Sequence, residues 1–76
     1  MSATLQIRPG LLGRLRKMNG IDSEDIQARM IGVDRTTLRR IDAGGSPSSG
    51  FIAAMVVTYN MGIGEMFEVV TEKVMA

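Results

Sequence analysis

Most of the chemistry this chain offers sits in one short stretch, "IGVDRTTLRRIDAGG", residues 31–45. Within it, Arg35, Thr36, Thr37, Arg39 and Arg40 put three guanidinium groups and two hydroxyls into six residues. Arginine is the side chain whose fork matches the O6 and N7 acceptors of guanine. Threonine can bond a base edge or a phosphate, and its methyl can meet that of thymine. Arginines this close repel one another in isolation. Opposite a line of phosphates the repulsion is relieved, and displaced counterions add affinity. The competing explanation is an ordinary solvated helix face, with Asp42 as a partner.

Catalysis is poorly supported. The sequence has no histidine and no cysteine, which excludes disulfides and the usual zinc and iron–sulfur sites. Glu65, Glu68 and Glu72 would share one helix face and so mimic a carboxylate site. With no nucleophile–base pair and no glycine-rich phosphate loop, a solvated acidic stripe explains them better. The expectation is a non-enzyme without cofactor or metal.

The elements that must position the arginines follow from punctuation and spacing. A first helix starts near Pro9, a residue suited to a first helical turn. Leu11, Leu12, Leu15 and Met18 form its apolar stripe. A second helix opens at "DSEDIQARMI", with Asp22 or Ser23 as cap and Glu24 and Asp25 at the positive end of its dipole. Gly32 ends it. Asp34 caps the third helix, Leu38 and Ile41 point one way, and Gly44-Gly45 stops it. "SPSS" is a loop and a fresh cap. Phe51, Ile52, Met55, Val56 and Tyr59 mark a buried fourth helix. After "MGIG", the run "EMFEVVTEKVMA" reads as a fifth helix with Met66, Phe67, Val69 and Val70 inward. No convincing strand emerges, so the expected fold class is all-α, a compact bundle of about five short helices.

At 76 residues one domain is expected, near the lower limit for folding without staples. The seven methionines suit gap-filling between helices. No run of 18 or more apolar residues exists, so no membrane span is expected. The start lacks the pattern of a secretion signal, which points to the cytoplasm. Net charge is only +1, but it is unevenly spread. Residues 1–40 hold eight Lys/Arg against four Asp/Glu, and residues 41–76 hold one against four. A basic front and an acidic back suit a polyanionic partner.

The second and third segments meet the physical requirements of a helix-turn-helix: small Ala28 for a close crossing, Gly32 for the turn, and Leu38 and Ile41 as anchors. On "ARMIGVDRTTLRRIDAGG", "SPSSGFIAAMVV" and "GEMFEVV", the chain resembles the lambda-repressor/Cro-like helix-turn-helix proteins of phages and bacteria. The resemblance covers roughly residues 9–70. It implies one helix-turn-helix domain over residues 1–76, with a short N-terminal arm and a C-terminal tail. Carried over by position, Arg35 and Thr36 occupy the first exposed turn of the recognition helix, and Arg40 the base-reading position one turn on. Thr37 and Arg39 flank the groove and meet phosphates. The loop "GGSPSS" matches the phosphate-clamping loop, with backbone amides of Gly45 and Ser46 and the hydroxyl of Ser48 as donors. Two positions depart from the family. Glu24 stands where Gln often begins the second helix, and Gln27 where an apolar residue is usual.

The resemblance implies sequence-specific binding in the major groove of double-stranded DNA, in a bacterial host cell. The expected role is a transcriptional regulator, a phage Cro-like or immunity repressor that blocks a promoter. A protein-interaction module on the same fold, such as an antitoxin or anti-repressor, stays open, as does a DNA-architectural or recombination factor. So small a module reads few base pairs, and a symmetric site would suit a homodimer. Met61, Ile63, Val69, Val74 and Met75 are candidate contacts, and monomers that pair only on DNA also fit. The first eight residues are either a groove-reaching arm rooted at Arg8 or a start without fixed structure.

Overall fold

A computed structural model describes residues 2–72. The chain runs β1 (Ser2–Ile7), α1 (Leu11–Met18), α2 (Glu24–Ile31), α3 (Arg35–Asp42), α4 (Ser49–Tyr59), α5 (Ile63–Met66) and β2 (Phe67–Glu72). The first four helices match the segments read from spacing; the fifth, read over residues 65–76, is only the short α5 that ends at Met66, with a strand after it, and residues 73–76, Val74 and Met75 among them, lie outside the described residues. The all-α expectation is overturned, because the two ends of the described chain pair as an antiparallel two-stranded sheet from Ser2↔Glu72 to Ile7↔Phe67.

The physical reason lies in what spacing leaves out. "FEVVTE" fits a helical stripe on paper, yet Val69, Val70 and Thr71 are β-branched and fit a pleated strand better. Strand pairing with β1 decides the matter, and that partner lies 60 to 70 residues away in the chain, from Ile7↔Phe67 to Ser2↔Glu72. Burial along β2 then falls off with distance from the helical body, Phe67 and Val69 lying on one face of the strand. Phe67 is buried, Val70 is half-buried, and Val69 is 68 % exposed rather than inward. Glu65 belongs to α5 while Glu68 and Glu72 belong to β2, so the acidic helix face does not exist. The N-terminal arm is likewise strand β1.

Helix boundaries follow local chemistry. Pro9 precedes α1 instead of opening it, since Gly10 takes a left-handed conformation at φ 74°. Ser23, Asp34 and Ser48 each cap a helix by accepting from the backbone N–H three residues on, at 3.2, 2.7 and 3.1 Å. One core joins every element. Leu12, Leu38, Ile41, Met55 and Met66 are its largest fully buried apolar side chains. Phe51 of α4 meets Phe67 of β2 edge to face, 6.4 Å between ring centres, which ties the sheet to the helices.

Exposed apolar side chains mark the outer faces of α1 and α2. Met18 is 78 % exposed, and Ile26 and Met30 face solvent. Instead α2 buries Gln27, Ala28 and Ile31. Gln27 is fully enclosed and satisfied. Its Nε2 donates to the Leu12 carbonyl at 3.1 Å and to the Tyr59 hydroxyl at 3.0 Å, and its Oε1 accepts from Arg16 Nη1 at 2.8 Å. A buried amide with every bond made carries little desolvation penalty. It also pins α1, α2 and α4 together through one side chain.

Candidate nucleic-acid interface

The turn before α3 is set by Gly32. Its φ of 94° lies in the left-handed region, where any other residue is strained. The N–H groups of Gly32 and Val33 both donate to the Ala28 carbonyl, at 2.8 and 2.9 Å, which closes α2 tightly. Val33 packs against the core, and Asp34 starts the next helix at once. Three residues thus separate α2 from α3, and buried Ala28 permits their close approach.

Helix α3 is anchored on one side only. Leu38 and Ile41 are each 1 % exposed. Arg35, Thr36, Arg39 and Arg40 face solvent, and Thr37 is half-buried. Asp34 is held below the ordinary carboxylate range by the Thr37 hydroxyl and then by the Thr37 N–H. The cap therefore stays ionised at neutral pH.

Between α2 and α3 lies an open recess of about 420 Å³, lined by Arg16, Asp22, Ser23, Glu24, Asp25, Arg35 and Arg39. Across it, Arg39 Nε donates to Glu24 Oε2 at 2.9 Å. The Arg39 hydrogen bond depresses the Glu24 carboxyl first, and the Arg39, Arg16 and Arg35 charges act in the same direction. Position 24 therefore orients an arginine instead of offering a donor of its own. Arg39, expected to be free for a phosphate, is engaged within the protein, though an exposed pair of this kind is weak and exchangeable. Arg35 and Arg40 have no carboxylate within salt-bridge reach among the described residues.

The loop after α3 differs from expectation in one donor. The Gly45 N–H is spent on the Arg40 carbonyl at 2.9 Å, so it offers nothing to a phosphate. Glycine is needed there because a Cβ would lie 2.8 Å from that carbonyl oxygen. Ser46 is exposed, and its carbonyl accepts a long 3.4 Å bond from Arg40 Nη1. The Ser48 oxygen caps α4 by accepting from Phe51 N–H, which leaves its own hydrogen available to donate. The structure thus gathers Arg35, Thr36, Arg39 and Arg40 on one exposed surface and leaves Gly45 out as a donor.

Sequence reasoning missed two contributors. Arg16 of α1 reaches the recess while bonded to Gln27, and Glu24 orients Arg39. An opposite-charge pair 15 residues apart has no local signature. Among the described residues no group of acidic side chains is arranged to hold a metal, and no helix is long and apolar enough to cross a membrane. Comparison with protein-family models, with curated proteins and with solved structures finds no match.

Proposed function

We propose that the protein binds double-stranded DNA, with α3 as the element that enters the major groove. The observation that carries this reading is the division of α3 itself. One face is locked to the core by Leu38 and Ile41, and the other presents Arg35, Thr36, Arg39 and Arg40 to solvent, with Arg35 and Arg40 unpaired by carboxylates among the described residues. A short, rigidly capped helix with exposed guanidinium groups suits base-edge and phosphate contacts together. In its chain order and its glycine turn, the α2–α3 pair supports a helix-turn-helix reading of the lambda-repressor/Cro-like kind. On that reading the protein is a small transcriptional regulator, a phage Cro-like or immunity repressor working by promoter occlusion in the cytoplasm of a bacterial host.

The test is selection of bound fragments from a random duplex pool at fixed salt, with Arg40→Ala run in parallel. The wild type should recover a motif, and loss of one bidentate base contact should weaken it by about 1–3 kcal/mol. Arg40 is exposed, and among the described residues its side chain makes only a long bond to the Ser46 carbonyl, so the variant should fold normally. Equal, motif-free retention by both proteins would refute base reading by α3.

A second reading has its own observation. Met18, Ile26 and Met30 are exposed apolar side chains, which suits a protein-docking surface of the antitoxin or anti-repressor kind. Under that reading Arg40→Ala leaves activity intact, and Ile26→Ser with Met30→Ser removes it.

A further inference from the structure

The sheet raises a question that the proposed function leaves untouched. Its inner end rests on the helical body, where Ile7 and Phe67 are buried and Leu5 packs partly against the core. Further out, Ala3, Thr4 and Thr71 are exposed and Val69 faces solvent beside Leu5. A two-stranded ribbon without further support is marginal in water. Something should complete this one.

The hydrogen-bond phase identifies which backbone groups are open. Arg8 N–H donates to the Met66 carbonyl at 2.9 Å, in step with the register that pairs Ile7 with Phe67. Antiparallel ladders alternate, so Gln6↔Glu68 and Thr4↔Val70 are the pairs that exchange bonds across the ribbon. The N–H and C=O groups of Ala3 and Leu5 then point to the outer edge of β1, and those of Val69 and Thr71 to the outer edge of β2.

The two edges differ in charge. β2 carries Glu68 and Glu72, whereas β1, "SATLQI", has no charge and no proline. Sheet edges that remain free are normally blunted by such residues. Pairing β2 with a second β2 would bring carboxylates together. Pairing β1 with a second β1 brings none, and a two-fold pairing closes on itself where a β1-to-β2 contact would propagate.

We infer that the outer edge of β1 pairs antiparallel with β1 of a second copy of this chain, making a four-stranded sheet across a two-fold axis. The Gln6 side chain lies against Gly44 at the end of α3, which limits approach beyond that point and sets the axis near Thr4. Thr4 then faces its own equivalent, and Ala3 exchanges backbone bonds with Leu5 of the partner subunit. Because the strands run oppositely, the overhanging end of each ribbon comes to lie beside the helical body of the other protomer. Leu5 and Val69 gain cover there.

The experiment is molar mass by sedimentation equilibrium across a wide concentration range, without DNA, so that its outcome is independent of the DNA-binding proposal. The wild type should approach twice the monomer mass. Ala3→Pro removes one outward N–H and leaves the β1–β2 ladder bonds in place, so it should remain monomeric with unchanged circular dichroism. Thr71→Pro, the matching change on the β2 edge, should still dimerise. Should Ala3→Pro misfold, Thr4→Lys and Thr4→Glu decide. Each alone should be monomeric, and an equal mixture should regain the dimer mass. A wild type that stays monomeric throughout overturns the inference. So does a dimer that survives both Thr4 variants, or one lost only in Thr71→Pro.

Discussion

Replacing Gln27 by alanine should cost this protein more than any surface change in the arginine helix. The amide is wholly enclosed and makes three hydrogen bonds, to the Leu12 carbonyl, the Tyr59 hydroxyl and the Arg16 guanidinium. A neutral bond contributes about 1 kcal/mol net and one to a charged group about 1.5–3 kcal/mol. Tyr59 and Arg16 are half-buried and can turn to water, so the polar loss comes to about 2 kcal/mol. Removing the rest of the side chain leaves a small cavity, adding about 1 kcal/mol. The sum of about 3 kcal/mol should lower Tm by roughly 12–24 °C in a chain of this size. Urea unfolding followed by circular dichroism measures it directly. Gln27→Leu keeps the volume and should cost about two thirds as much, about 2 kcal/mol, since only the bonds are lost. A loss below about 1 kcal/mol in Gln27→Ala would refute the view that this side chain ties α1, α2 and α4 together.

Two further outcomes follow from the same geometry. Gly32→Ala meets no atom within 4 Å but must hold φ at 94°, so it should cost about 1–2 kcal/mol from backbone strain alone, read as a lower urea midpoint at unchanged m. Acid should weaken the α2–α3 unit, because Glu24 and Asp34 both titrate below their ordinary values of 4.5 and 3.8 in the folded chain. Their contribution is complete above those values and is lost as pH falls through the lower folded ones. In Glu24→Gln with Asp34→Asn the acid decline should be shallower, and an identical acid limb would exclude these two groups as its cause.

Much of the helical layout was legible before any tertiary information. Ser23, Asp34 and Ser48 announce helix starts because a side-chain oxygen can satisfy an orphan amide three residues on. Gly32 announces a turn because few residues tolerate its backbone angle. Leu38 and Ile41, three apart, fix which face of α3 is hidden and so which arginines are displayed. The direction of α2 was not legible. Ile26 and Met30 have the right spacing for a core stripe, and only the three partners around Gln27 explain why the helix turns that amide inward.

The sequence by itself determined where the first four helices lie, which face of α3 carries its cations, and that disulfides and thiol chemistry are absent. These are local properties, set within one or two helical turns by capping, glycine and apolar spacing. Tertiary structure decided the rest. The ends of the chain became strands because each found the other, and strand pairing rewards a partner of any sequence separation. Glu24 became the orienter of Arg39, and Gln27 met Leu12 and Tyr59, because folding brought those groups within bonding distance. Contacts of that kind depend on where the backbone goes, which spacing along a single segment does not encode.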